Sequence, residues 1–159
     1  MRSPYPFILL LLCLSILLGC KDKALMDETQ SFSNLGWPMK EKVSFPFLIS
    51  DTSQTFEIAV AIRQSNDYPF HNCYFLSKIY NSKGQIIKKG LAEAYFYHPK
   101  TGKSLSKNSG SIIGHKYIIF REMKFSEKGK YRIELEQYMR KDTLKGIISV
   151  GASIVPIMK

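Results

Sequence analysis

Cysteine and histidine are scarce in this sequence, and each scarcity closes off a class of function. Three cysteines occur in 159 residues: Cys13 within an oily N-terminal run, Cys20 at its end, and Cys73 alone in NCYFLSKIY. That is too few for the disulfide framework of a small stapled domain. A small buried thiol is the ordinary expectation for Cys73. A catalytic thiol needs a base and access, and neither is legible around it. His71, His98 and His115 lie far apart, and none has a partner at metal-ligand spacing. No nucleophile elbow, P-loop, dinucleotide fingerprint or HExxH occurs. Glu134 and Glu136 share one face of a strand, where a solvated face accounts for them better than a carboxylate pair does. The sequence therefore predicts a non-enzymatic protein with no catalytic residue, metal or cofactor, and a hydrolase has no constellation behind it.

Long hydrophobic runs are missing as well. A bilayer-spanning helix needs roughly 20 apolar residues, whereas Phe7 to Leu18 supplies a dozen. Arg2 before this run and small Gly19 after it complete the order of an export signal. Leu17-Leu18-Gly19-Cys20 resembles the bacterial lipobox, in which the cysteine is acylated and becomes the first mature residue. Residues 1–19 are thus read as a lipoprotein signal peptide and Cys20 as the site of covalent lipid, which is the only non-protein group expected. Two or more acyl chains hold stably to a membrane where one holds marginally. Lys21 and Asp22 do not resemble a strong inner-membrane retention signal, and no acidic run of the kind that directs surface export follows. A periplasm-facing outer-membrane lipoprotein is the expected address.

Acid is also outnumbered. Lysine and arginine total 23 against 13 aspartates and glutamates, for a formal charge of +10. In a cytoplasmic protein this would suggest nucleic acid. Export removes that partner, and Lys83, Lys88 and Lys89 are interleaved with apolar residues rather than packed on one helix. A solvated basic surface is expected, with anionic headgroups the partner if part of it forms a patch.

What the sequence does have is alternation. Val43, Phe45, Phe47 and Ile49 fall on one side of VSFPFLI, as Phe56, Ile58, Val60 and Ile62 do in TFEIAVAIR, so each stretch buries one face of a strand. Pro46 donates nothing to a ladder, which puts the first at an edge or a bulge. NCYFLSKIY is a third strand and NSKG a hairpin turn with Gly84 at positive φ. Gln85 to Tyr97 gives a fourth, with an interruption at Gly90 left open. HPKTGKSLSKNSGS is the longest loop. Lys116 to Phe125 follows, then a turn at SEKG and a strand with Tyr131, Ile133 and Leu135 inward. RKDTLKG reads as a connection and IISVGASIV as the last strand. The expected fold is an all-β antiparallel β-sandwich, immunoglobulin-like, of about seven strands over residues 35–159. Polar residues 20–34 are expected to form a lipidated flexible tether. Gly129-x-Tyr131 fits either a tyrosine corner or a plain hairpin with a core tyrosine.

Two kinds of contact surface are legible. Arg63, Asn66, Asp67 and Tyr68 place a cation, an acid and an aromatic in one short stretch, and arginine and tyrosine give large contact area at small entropic cost. With Trp37 and Arg140 they are the candidate partner surface. The plainer reading is that Asn66 and Asp67 close their own turn and that Arg63 pairs with Asp67. Alternatively, Trp37 with Tyr95 and Tyr97 forms a stacking platform for carbohydrate.

Several blocks together resemble one family. The lipobox start, Phe32, Gly36 and Trp37, VSFPFLISDT, IRQSNDYPFHN, KFSEKGKYRIELEQYMR and LKGIISVG stand in the order seen in the gliding motility-associated lipoprotein family GldH of Bacteroidota. The similarity covers nearly the whole chain after the signal and departs in SLSKNSGSIIGHKY. It implies a non-enzymatic envelope lipoprotein needed for gliding and type IX secretion, working beside other lipoproteins of that machinery, with a secretion or envelope-assembly role the more general one. The implied partners are those lipoproteins and, through the lipid, the membrane, with no nucleic acid.

Overall fold

A computed structural model describes residues 24–33, 36–106 and 110–157. The signal segment and Cys20 lie outside the described residues. Ten strands run through the rest: β1 (Met26–Ser31), β2 (Gly36–Pro38), β3 (Val43–Ile49), β4 (Thr55–Ser65), β5 (Asn72–Tyr80), β6 (Ile86–Tyr95), β7 (Ile112–Met123), β8 (Gly129–Gln137), β9 (Thr143–Lys145) and β10 (Ile147–Ile157). One sheet has the order β1-β10-β4-β7, the other β3-β8-β5-β6, and β2 and β9 form a short ladder of their own. The strand pairs are antiparallel. The expected all-β antiparallel sandwich is what forms, and Pro46 lies on β3, an edge strand. Connectivity refines the immunoglobulin-like comparison. Eight long strands, with first beside last and the chain crossing repeatedly between two four-stranded sheets, follow the order of a jelly roll.

Alternation drives the packing. From one sheet Phe56, Ile58, Val60, Ile62, Val150, Ala152 and Ile154 face inward; from the other come Val43, Phe45, Phe47, Ile49, Phe75, Ile79, Ile133 and Leu135. Burying such a side chain contributes roughly 1.5–3 kcal/mol, so these residues supply most of the driving force. Aromatic clusters close the core towards both ends. At one, Phe125 packs against Phe47, Phe56 and Tyr131 with centroids 4.8–5.7 Å apart. At the other, Tyr68 packs edge-on to Phe96 at 5.2 Å, and Phe32 stacks on Trp37 at 5.9 Å.

Five local expectations are corrected or resolved. The tether begins to fold earlier than its polarity suggests: Met26 to Ser31 pair with Ile154 to Ser149. Only Met26 of this strand is buried, so ladder hydrogen bonds rather than side-chain burial hold it. RKDTLKG contains β9, which pairs with β2. Strand β6 runs unbroken through Gly90, over which a Phe120 ring edge packs where a Cβ would sit 3.3 Å away. The Tyr131 hydroxyl donates to the Glu127 carbonyl at 2.7 Å, which is the tyrosine-corner alternative. Finally, Glu134 and Glu136 lie on the outward face of β8 but are paired rather than left to solvent. Glu134 is 8% exposed, Lys78 donates to Glu136, Tyr80 donates to Glu134 at 3.0 Å, and Lys42 lies 3.3 Å from Glu136.

Cys73 is fully buried between these layers, and burial pushes its thiol up to about 12. A neutral buried thiol is a poor nucleophile. Maleimide should therefore leave Cys73 untouched in the folded protein at neutral pH and modify it once the chain is unfolded; native labelling at the unfolded rate would contradict this packing. Gly146 has φ +87, and a Cβ there would lie 2.8 Å from the Tyr68 Cα, whereas Gly84 has φ +75 with open space around it. Denaturant titration should give about 1 kcal/mol of destabilisation for Gly84→Ala, from backbone strain alone, and about 3 kcal/mol for Gly146→Ala, where the clash adds to it. Equal losses would show that the close approach is unimportant. Tyr131→Phe should cost about 1 kcal/mol for its corner hydrogen bond.

Candidate functional site

Jelly-roll connectivity collects the long connections at one end. The described residues of the connections 32–42, 66–71, 96–111 and 138–146 lie there, while the short turns 50–54, 81–85 and 124–128 lie at the other. Trp37, Asn66, Asp67, Tyr68 and Arg140 sit in or beside the four-loop end, and Arg63 is two residues from the end of β4. The structure thus brings the six candidate residues to one pole of the molecule, in two distinct roles.

Trp37 and Tyr68 are interior. Trp37 has no exposed surface, and its indole N–H donates to the Glu41 carbonyl at 3.0 Å. Tyr68 is 5% exposed and donates its hydroxyl to the Asn72 carbonyl at 2.8 Å. Burial pushes its phenol well above the usual range, Cys73 adding a smaller effect. Neither ring can touch a partner, and the carbohydrate platform built on Trp37 does not exist. Both residues fasten loops instead. The Gly146 carbonyl accepts from the Ser65 amide at 2.8 Å, and the Cβ-free face of Gly146 lies against Tyr68. The stretches IRQSNDYPFHN and LKGIISVG therefore meet here.

Arg63, Asn66 and Asp67 are exposed. No ion pair joins Arg63 to Asp67 among the described residues; Arg63 instead borders a shallow depression with Asp27, Thr29 and Lys116 on the outer face of the first sheet. Asn66 and Asp67 stand at the centre of their own turn, closed by the Tyr68 amide donating to the Ser65 carbonyl at 3.2 Å, and the Asn66 side-chain amide also ties this loop to a neighbour by donating to the Gly110 carbonyl at 3.3 Å.

The most organised exposed feature surrounds Arg140. Gln137, 3% exposed, ends β8 and holds the next loop with both halves of its amide. Its Oε1 accepts from the Met139 N–H at 2.9 Å, and its Nε2 donates to the Lys141 carbonyl. Arg140, clamped between them, adopts φ 55, a conformation that costs a non-glycine residue of order 1 kcal/mol. The strained loop is pinned across the sheet by the Tyr138 amide donating to the Tyr74 carbonyl at 2.8 Å, and to the 32–42 segment by the Met39 amide donating to the Asp142 carbonyl at 2.9 Å. Tyr138 and Met39 are left 52% and 40% exposed. With Arg140 and Glu136 they line a cleft of about 290 Å³.

This apolar rim continues along the outer face of β5 and β6. Exposed Tyr74 and Tyr95 flank Glu93, and hydrogen bonding to that carboxylate raises both phenols. Glu93 also accepts from Asn72 Nδ2 at 2.6 Å. Burial opposes its ionisation, but Asn72 and the two tyrosines outweigh this and hold it below the ordinary carboxylate range. The ring of His71 stacks on Tyr95 at 6.0 Å. Such fixed, half-exposed aromatics with satisfied polar groups are suited to protein contact, because little side-chain freedom remains to be lost on binding. Tyr74 was within reach of sequence reading, since it is on the outward register of NCYFLSKIY. Met39 and Tyr138 were not, because only the tertiary bonds of Gln137 and Asp142 bring them together.

Comparison with known proteins agrees with this organisation of blocks. The profile of the GldH lipoprotein family matches residues 24–154. A gliding motility lipoprotein GldH homolog of Christiangramia forsetii is 27% identical over 161 residues, covering 97% of each chain. The gliding motility lipoprotein GldH of Flavobacterium johnsoniae is 28% identical over 153 residues, covering 92% of this chain and 93% of its own. Among solved structures, the insecticidal delta-endotoxin Cry8Ea1 of Bacillus thuringiensis is similar over 82% of this chain and 20% of its own, with 11% identity and a TM-score of 0.40. That likeness is too loose to inform function. The family match spans most of the sequence, from the residues before β1 to the inward-facing Ile154 of β10, and the chain belongs to the GldH lipoprotein family.

Proposed function

We propose that the protein is a lipid-anchored, non-enzymatic component of the gliding motility and type IX secretion machinery, facing the periplasm from the outer membrane and holding other lipoproteins of that machinery through its four-loop end. The observation that carries this reading is the Gln137-clamped loop. A chain that spends backbone strain at Arg140 to hold exposed Tyr138 and Met39 beside a cleft has a rigid, partly apolar contact surface ready made. Family membership and the names of the relatives support the machinery, and the lipobox-like LLGC supports the anchor.

The contact surface is tested by affinity capture from detergent-solubilised membranes. Tyr138→Ala combined with Arg140→Glu should reduce recovery of motility or secretion lipoproteins by tenfold or more, given the roughly 1.4 kcal/mol that each tenfold represents. Membrane association and the unfolding midpoint should remain as in the parent, because neither side chain is in the core. Undiminished capture by a folded variant would contradict the assignment of this end.

A further inference from the structure

We propose that the opposite, three-turn end of the sandwich lies on the lipid headgroup layer, so that the four-loop end stands away from the bilayer. This inference rests on the lipid anchor at Cys20. It begins from chain length. Ala24, the first described residue, is four residues beyond Cys20, and four residues reach at most about 14 Å. From there the Leu25 amide donates to the Ile154 carbonyl, and β1 starts one residue later. The acylated position is thus leashed to the end that also carries the last residues of β10 and the turns 50–54, 81–85 and 124–128. These turns adjoin one another: Lys128 lies near enough to Asp51 to favour its ionised form, a smaller effect than the hydrogen bonds from Ser53, and a Cβ on Gly129 would sit 4.0 Å from Ser82 Oγ.

The surface around them has interfacial chemistry. Leu25, Leu48, Ile86, Ile87 and Ile157 are exposed there, at 38–56%. Their places follow from register: Leu48 opposite Lys130, Ile86 opposite Tyr80, and Ile157 opposite Thr55. Exposed Lys83, Lys124, Lys128 and Lys130 stand among them, against Asp51, Glu122 and Glu127. Aliphatic side chains interleaved with lysine suit the boundary of headgroups and acyl chains.

Charge alone does not choose this end, because Lys40, Lys100, Lys103, Arg140 and Lys141 make the four-loop end basic as well. Distance does. The eleven residues of β10 separate the two ends by roughly 35 Å at the rise of a strand, several times the Debye length of about 8 Å. Only the tethered end falls within reach of the surface, where the leash also gives it a high effective concentration.

The test uses the full-length lipidated protein in vesicles of phosphatidylethanolamine and phosphatidylglycerol carrying a nitroxide on the headgroup. A fluorophore is attached at Ser126→Cys or at Lys100→Cys, both exposed and at opposite ends. Quenching should be several-fold stronger at position 126 than at position 100. It should weaken when Ile86→Glu and Ile87→Glu are introduced together, with co-flotation of protein and vesicles retained. Equal quenching at the two positions, or undiminished quenching at 126 in the double variant, would overturn the docked end while leaving the anchor standing. Failure of the parent to float with vesicles would overturn the anchor, and the docked end with it.

Discussion

The contact between Gly146 and Tyr68 is the constraint on which the four-loop end of this molecule depends. Jelly-roll connectivity sends four long connections to one pole, where the three-residue pairing of β2 with β9 is the one ladder that joins two of them among the described residues and is too short to fix the rest. Here they are fixed by close approach. Gly146 at φ +87 lets the 138–146 connection lie directly on the Tyr68 backbone, and its carbonyl accepts from the Ser65 amide. Tyr68 in turn reaches the Asn72 carbonyl and packs on Phe96. One small residue thereby couples the ends of β4, β5 and β10. The Gln137 clamp, the strained Arg140 and the cleft beside Tyr138 belong to the same 138–146 connection that Gly146 ends.

The two poles differ in construction, and the difference follows from the winding of the chain. Three short turns close one end over a cluster of Phe47, Phe56, Phe125 and Tyr131, braced by the hydrogen bond from the Tyr131 hydroxyl to the Glu127 carbonyl. Little there is shaped to receive another protein. The other end has the loop length, the cleft and the fixed aromatics. The proposed role gives such a sandwich a simple division of labour, with one pole near the lipid and the other offered to partners. The ionic group of Lys42, Lys78, Glu134 and Glu136 and the neutral thiol of Cys73 stabilise or fill the sandwich.

Much of the fold was legible because burial on one face leaves a period of two. VSFPFLI and TFEIAVAIR show it residue by residue, and the NSKG turn shows it through the backbone freedom that Gly84 supplies. What was not legible depended on partners remote in sequence. MDETQS buries only Met26 and is a strand because β10 offers it a ladder. β2 and β9, three residues each, are too short to carry a period at all. The jelly-roll order is a matter of which strands neighbour one another, which alternation does not encode. At the candidate site, Arg140, Asn66 and Asp67 were identifiable by residue type. Trp37 and Tyr68 looked like contact residues for the same reason, yet aromatic size serves a core as readily as an interface, and only burial distinguishes the two.

The proposed arrangement gives the molecule two ends with different neighbours, lipid at one and protein at the other. Photo-crosslinking in native membranes reads this directly, with a photoreactive amino acid placed at position 138 or at position 48, both exposed in the folded chain. Discrete protein adducts are expected from position 138 and lipid adducts from position 48. Protein adducts from position 48 with none from position 138, or lipid adducts from position 138, would contradict this arrangement.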